Sequence, residues 1–453
     1  MIFSTYSGSF SDNFGYTATY DSKGFLYSGS TAFGDNYPVT TGAYQQNYAG
    51  GDGTTNIPGT DIALSKYDTT GTSFRWSTYL GGSNDELPHS LIVNSKDELF
   101  VFGTTSSPDF PVTSNAYDTT FNGGSQVAMT GIAVDYVNGS DIIVSRLSND
   151  GTTLQASTFI GGSKNDGLNL DSDGLRYNYA DEVRGEIIID DKDNVYIGTS
   201  TYSNDFPVSS NAFQKNKGGG MDGCIIKLDN ELTFIQWSSY FGGSGEDAIF
   251  SLNLNSKSQP LITGGTQSSN IPTTPNAYQQ NSNGGRSEGF IAEINKNGKT
   301  IDHSTYWGTD TYDQNYFVRS DVFNNVYVLG QTHKMDSSFI KNASYSNENS
   351  GQYITKFNPQ MDSIIWSTVF GSGDSTINIS PSSFMLDLCR RVYLSGWGGE
   401  TNIRSYNKAG NVGGMPITNN AYQSKTNDSS DFYLFVMKDD ASGISYGSYF
   451  GGS

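Results

Sequence analysis

One short pattern, an aromatic-rich run closing on glycine and serine, recurs along the whole chain. It reads FSTYSGS (3–9), WSTYLGGS (76–83), ASTFIGGS (156–163), WSSYFGGS (237–244), HSTYWGTD (303–310), WSTVFGSG (366–373) and YGSYFGGS (446–453). Successive copies stand about 63 to 81 residues apart. Three other markers lie between them in fixed order. A polar turn enters a strand at DSKGFLY (21–27), NSKDELF (94–100), DDKDNVY (190–196), NSKSQPL (255–261), DVFNNVY (321–327) and DLCRRVY (387–393). A proline loop follows at NYPVTTGAYQ (36–45), DFPVTSNAYD (109–118), DFPVSSNAFQ (205–214), NIPTTPNAYQ (270–279) and GMPITNNAYQ (414–423), reduced to NASY (342–345) in the fifth unit. A third apolar run comes at DIALSKY (61–67), DIIVSRL (141–147), GCIIKLD (223–229), GFIAEIN (289–295), QYITKFN (352–358) and LFVMKDD (434–440). Repetition at this period constrains the fold before any other feature does, because each unit must bury its apolar surface against its neighbours.

Within residues 186–244 four apolar runs are separated by turn chemistry, which makes one small antiparallel sheet. The runs are apolar at consecutive positions, so both sheet faces are covered. Stacked copies supply the covers. The expected fold is all-β: a single six-bladed β-propeller of four-stranded antiparallel blades spanning 1–453. Its units run approximately 12–83, 84–163, 164–244, 245–310, 311–373 and 374–453, with 1–11 an extra outer strand. No helical period longer than about two turns stands out. Two copies of the fourth-strand pattern compete for blade six. Pairing of Ile2–Ser7 beside Leu434–Lys438 is expected, since a strand from the far end of the chain removes a seam.

A net charge of −20 and a pI near 4.4 argue against nucleic acid and anionic membrane surfaces as partners. No apolar run is long enough to span a membrane, so direct insertion is not expected. Met1 opens directly into a strand pattern with no signal segment ahead of it, so an exported form would be a mature chain or part of one. Cys224 and Cys389 fall in the third and sixth units, too far apart in a ring for a disulfide. The aromatics of the fourth strand hold fixed places in every unit, which marks them as blade packing. The aromatic of each proline loop, Tyr44, Tyr117, Phe213, Tyr278 and Tyr422, is expected to anchor that loop on its own blade.

His89, His303 and His333 lie in different units without catalytic neighbours. Zinc spacing, a GxSxG elbow, a P-loop, HExxH and the sialidase turn S-x-D-x-G-x-x-W are absent from the sequence. The chain is therefore expected not to be an enzyme. One local constellation points to a ligand. The insertion KNDGLNLDSDGLRYNYADE (164–182) sets Asn169, Asp171 and Asp173 at alternate positions before Gly174, like the first half of a calcium loop. Position twelve is Ala180, so Asp181 is the expected closing acid. The expected metal residues are Asn169, Asp171, Asp173 and Asp181, with calcium as the ion and no other cofactor.

With the units aligned, the chain resembles the SBBP family of β-propeller repeats. The likeness rests on STYLGGS (77–83), DDKDNVYIGTS (190–200), DFPVSSNAFQ (205–214) and IIKLD (225–229), and it extends over nearly all residues. Unit five (311–373) diverges most. The resemblance implies a large secreted or outer-surface bacterial protein, of the kind associated in Bacteroidota with gliding motility and type IX secretion. The sorting domain typical of type IX cargo is missing from these residues. Four tripeptides beginning at Asp68, Asp118, Asp362 and Asp374 resemble Bacteroidota O-glycosylation sites. The implied role is a non-catalytic extracellular interaction or scaffold module, placed at the cell surface and binding a protein or a surface glycan. Two alternatives stand beside it: a glycan-active or lactonase-like propeller enzyme, and a passive spacer in a giant adhesin.

Overall fold

The run DIALSKY forms the strand Asp61–Tyr67, buried at every position, and DIIVSRL does the same as Asp141–Leu147. Asp61–Tyr67 is covered on one face by blade two and on the other by Tyr37, Val39 and Tyr48 of its own proline loop. A computed structural model describes residues 4–5, 7–9, 13–50, 59–129, 132–171, 174–399, 410–426 and 428–452. It is a six-bladed β-propeller, each blade a four-stranded antiparallel sheet whose strands follow chain order. Blade one comprises Asn13–Tyr20, Leu26–Ala32, Asp61–Tyr67 and Phe74–Leu80; blade two comprises Glu86–Val93, Leu99–Thr105, Asp141–Leu147 and Leu154–Ile160. Blade three comprises Glu186–Ile189, Val195–Thr201, Asp222–Leu228 and Ile235–Phe241; blade four comprises Asp247–Leu254, Pro260–Thr266, Glu288–Ile294 and Ile301–Trp307. Blade five comprises Asp313–Ser320, Val326–Thr332, Gln352–Phe357 and Ile364–Phe370; blade six comprises Ser380–Leu386, Val392–Trp397, Phe432–Met437 and Ile444–Phe450. A small hairpin, Val127–Met129 with Val134–Tyr136, rides on the long loop of blade two. The only helical elements among the described residues are single 3-10 turns at Asp181–Val183 and Ser337–Phe339.

The chain divides into two compact units. One holds 1–168, 183–210 and 224–239, which is blades one and two with most of blade three. The other holds 169–182, 211–223 and 240–453, which is the insertion with blades four to six.

The polar-turn marker has a direct physical cause. The leading Asp or Asn turns its side-chain oxygen back on the turn: Asp21 Oδ1 accepts from the amides of Lys23 and Phe25, both at 3.0 Å, and Asp190 Oδ1 does so from Lys192 and Asn194. The third residue after that acid takes a left-handed conformation, as at Gly24 (φ 83) and Asp193 (φ 60). The same acid then pairs with a lysine of the third strand, Lys66 with Asp21 at 3.3 Å and Lys356 with Asp321 at 3.5 Å. That pairing is why a lysine sits inside an otherwise apolar strand.

Each blade has a leading face, turned toward the blade that follows, and a trailing face. In the first unit Tyr27, Ile62, Leu64, Trp76 and Leu80 of blade one pack on Leu91, Leu99, Val101, Ile143 and Phe159 of blade two. In the second, Tyr327, Leu329, Ile354, Trp366 and Phe370 of blade five meet Phe384, Leu394, Tyr433 and Phe435 of blade six. Two polar links recur at these junctions. The Trp76 indole donates to Asn149 O at 2.7 Å, and the Trp366 indole donates to Asp439 O at 3.0 Å. In blades one to five the loop aromatic donates its backbone N–H to a turn carbonyl of the next blade. These bonds join Tyr44 to Gly151, Tyr117 to Leu232, Phe213 to Gly298, Tyr278 to Met361 and Tyr345 to Ala441. Those five loops therefore anchor forward, whereas anchoring on their own blade was expected; Tyr422 N does stay on its own blade, donating to Tyr446 Oη at 3.1 Å. The neighbouring Gln holds the loop at home: Gln45 O accepts from Tyr79 N, and its side chain bonds Gly81 N and Asp61.

The expected closing strand is corrected. Ile444–Phe450 pairs with Phe432–Met437, Leu434 facing Ser448, so a local hairpin supplies the fourth strand of blade six. A short connection costs little closure entropy, and this outweighed the advantage assigned to a distant strand. Ile2, Phe3 and Tyr6 lie outside the described residues, and Ser7 Oγ stands 3.4 Å from Tyr37 Oη of blade one.

Candidate functional site

The insertion holds its shape through its own acids. Asp171 Oδ2 accepts from the amides of Gly174 and Leu175, both at 2.7 Å, and from Gln267 Nε2 at 3.2 Å. Asp181 Oδ2 accepts from the amides of Tyr177 (2.8 Å) and Asn178 (2.7 Å) and from the Tyr316 hydroxyl at 3.0 Å. Asn169 Oδ1 accepts from Asp171 N at 3.2 Å, while its Nδ2 donates to Leu175 O and Asp181 O. Three of the four expected metal residues thus share one loop, with oxygens directed at N–H and O–H donors. The fourth, Asp173, lies outside the described residues. No group of three or more His, Cys, Asp or Glu among the described residues is placed to hold a metal ion. Gly174 serves close approach: a Cβ there would stand 2.5 Å from Gln267 Nε2 and 2.7 Å from Arg286 O.

Residues 169–182 pack on blades four and five. Asn178 Nδ2 donates to Tyr316 Oη (2.6 Å) and Gln331 Oε1 (2.9 Å), and Gln314 Nε2 donates to Leu175 O at 3.2 Å. The Tyr177 ring stacks on Tyr312 with centroids 4.4 Å apart, and its hydroxyl meets His333 Nε2 at 2.8 Å. Tyr312 and Tyr316 hydroxyls lie 3.1 Å apart. Because Tyr316 gives its proton to Asp181, Tyr312 is the donor in that pair, and a relay of hydroxyls ends on one carboxylate. Burial, and then the charge of Arg286, lowers the His333 pKa, so its imidazole is neutral at pH 7. Burial also pushes Tyr177 up to about 12. The cluster offers neutral donors and acceptors, arranged to hold the insertion in place. Tyr312 and Tyr316 lie far from the insertion in sequence, so spacing could not find them.

A second constellation repeats at the blade junctions. The third strand begins with Asp61, Asp141, Asp222 or Glu288, and its partner acid is Glu86, Asp247 or Asp313 at the start of the next blade, or Asp166 in the stretch ahead of blade three's first strand. The two carboxyls flank the first glycine of the YLGGS-type run. A Cβ on Gly81 would lie 2.6 Å from both Asp61 Oδ1 and Glu86 Oε2; on Gly161 it would lie 2.4 Å from Asp141 Oδ1 and 3.0 Å from Asp166 Oδ2. Only glycine fits between them. One acid caps the proline loop, as Asp222 does for the amides of Gly218 (2.8 Å) and Gly219 (3.0 Å). The other receives the second glycine, as Asp166 Oδ2 does from Gly162 N at 2.7 Å. Burial raises their pKa values, to about 7 for Asp61, Asp141, Asp166 and Asp247. Glu86 rises further, from burial and then from the charge of Asp61. The acid three residues after each GGS was visible in the sequence, but nothing there paired it across a junction.

No family model matches the chain, and no curated protein matches it. Solved structures of similar fold include a protein of unknown function from Dyadobacter fermentans, 11% identical, covering 86% of this chain and 92% of that one at a TM-score of 0.40. A luciferin-regenerating enzyme is 10% identical over 86% of this chain and 85% of its own, at a TM-score of 0.32. A polysaccharide lyase of the ulvan lyase family PL25 is 8% identical over 84% and 75%, at 0.33. These likenesses concern the fold. The expectation that the chain is not an enzyme is corrected on this point: propellers similar to it include enzymes, so the fold is compatible with catalysis.

Proposed function

We propose that the chain is an extracellular interaction scaffold of a bacterial cell surface, associated with secretion or gliding machinery and engaging a protein or glycan partner. The observation that carries this reading is the concentration of exposed apolar side chains on blade six and its loops. Tyr422 (62% exposed), Phe432 (49%), Met385 (45%), Ile417 (40%) and Leu434 (37%) all belong to it. Exposed apolar side chains gathered on one blade are a feature of interaction surfaces. Calcium is the ion proposed for Asn169, Asp171, Asp173 and Asp181. Binding would require Asp171 and Asp181 to exchange their amide donors for the cation, and a melting temperature that differs between calcium and chelator tests it. The scaffold reading is tested by protease shaving of intact source cells, with identification of what co-purifies. Peptides of this chain released from intact cells, with an envelope partner, support it; recovery only after lysis refutes it.

A further inference from the structure

Three blade junctions are sealed in one way. The serine closing the GGS run, Ser83, Ser163 or Ser244, donates its amide to the residue heading the next proline loop. The acceptors are Asp109, Asp205 and Asn270, each at 2.9 Å. The same oxygen presses on the second glycine: a Cβ on Gly82, Gly162 or Gly243 would stand 2.8, 2.6 and 2.6 Å from it. A side chain there has no room.

The junction of blades four and five is built differently. The loop of unit five lacks the proline motif, and the second glycine and the serine are replaced by Thr309 and Asp310. Asp310 meets Lys334 of that loop at 3.1 Å, and a cavity of about 630 Å³ lies between the two blades with Thr309 in its wall. Trp307 and Phe339, both buried with ring centroids 4.9 Å apart, form its apolar base. That tryptophan is peculiar to blade four, since Leu80, Ile160, Phe241, Phe370 and Phe450 hold the position elsewhere. Tyr278 stands edge-on to Trp307 at 5.6 Å and is 38% exposed. Gln279, Asn283 and Ser338 add amide and hydroxyl groups to the wall. Of the two lysines that line it, Lys334 is matched by Asp310, whereas the exposed Lys341 has no carboxylate partner among the described residues.

We propose that this cavity binds an acidic saccharide, one sugar ring lying on Tyr278 and its carboxylate or sulfate meeting Lys341. A pyranose presents C–H groups on its face and hydroxyls around its rim, which suits an exposed aromatic beside amides and hydroxyls. A lipid chain would need an apolar wall throughout, and Gln279, Asn283 and Ser338 deny it one. The acidic group follows from Lys341: an ammonium without a protein carboxylate gains most from an anion on the ligand. The site uses no residue of blade six, so it goes beyond the scaffold reading and does not rest on the surface that carries it.

Affinity electrophoresis of the full chain tests this, in native gels containing alginate, polygalacturonate, carrageenan or a neutral glucan. A chain of net charge −20 is repelled by polyanions as a whole, so retardation by one reports a local site. Retardation is expected in at least one acidic gel and not in the glucan gel. Alginate or polygalacturonate would identify a carboxylate as the recognised group, and carrageenan a sulfate. Tyr278→Ala and Lys341→Glu should each raise the dissociation constant more than about tenfold. Both side chains are exposed, and an unchanged melting temperature certifies the fold of each variant. Equal migration in all gels overturns the inference, as does retardation by the neutral glucan or binding indifferent to either substitution. Each of these results leaves the cell-shaving experiment free to uphold or refute the scaffold reading.

Discussion

The Gln352 side chain donates its amide to Asn378 Oδ1 over 3.3 Å, at the junction of blades five and six where the other junctions set two carboxyls together. Gln352 Oε1 in turn accepts from Asn378 N. An amide pair occupies here, without any ionisable group, the place that two carboxyls take at the other four junctions. The four acidic junctions are thus expected to hold protons well above the usual carboxylate range.

The pH dependence follows from that. Asp141 and Asp166 titrate near 7 in the folded chain, against about 4 when unfolded. Between those values the folded chain keeps protons that the unfolded chain has released, so stability falls as pH rises through 7. Carboxylates held low, such as Asp190, act the other way and only as pH falls below about 4. The melting temperature should be lower at about pH 8 than at about pH 5.5. Asp61→Asn should shrink the difference by imitating Gln352.

Gly151→Ala should destabilise the first unit. Gly151 has φ 69, and a Cβ would stand 2.4 Å from Trp76 Cδ2. Overpacking and the left-handed backbone together should cost about 2–4 kcal/mol, read as a lower denaturant midpoint.

Asn178→Ala should loosen the insertion. It removes donors to Tyr316 and Gln331 at buried positions, a loss of about 1–3 kcal/mol. Limited proteolysis should then cut within 164–182 faster than in the parent chain, while cleavage elsewhere stays unchanged.

Thiol titration should separate the two cysteines. Cys389 is exposed and Cys224 buried, and neither is in a disulfide. One thiol per chain should react rapidly in the native state and two in denaturant.

Much of the blade was legible because its determinants are local. The run DIALSKY is the strand Asp61–Tyr67 residue for residue, and the Asp or Asn heading each turn marker bonds amides two and four positions away. What failed to show was nonlocal. Asp181 binds Tyr316, whose sequence distance is 135 residues, so a loop held by a remote hydroxyl read as the spacing of a cation site. The forward link of Tyr117 to Leu232 uses backbone atoms, which leave no residue signature at either end. The hairpin Val127–Met129 with Val134–Tyr136 has three-residue strands, too short to rise above its loop.

That backbone link also bears on how such a chain diversifies. A bond between one amide and one carbonyl survives almost any side-chain replacement that preserves the turn, which is why the eroded loop of unit five still makes it through Tyr345 and Ala441. The sequences of adjoining units can therefore drift independently without losing their grip on each other. A duplicated unit arrives already able to grasp the one after it and be grasped by the one before, so length in this architecture is a quantity that recombination can change in whole steps.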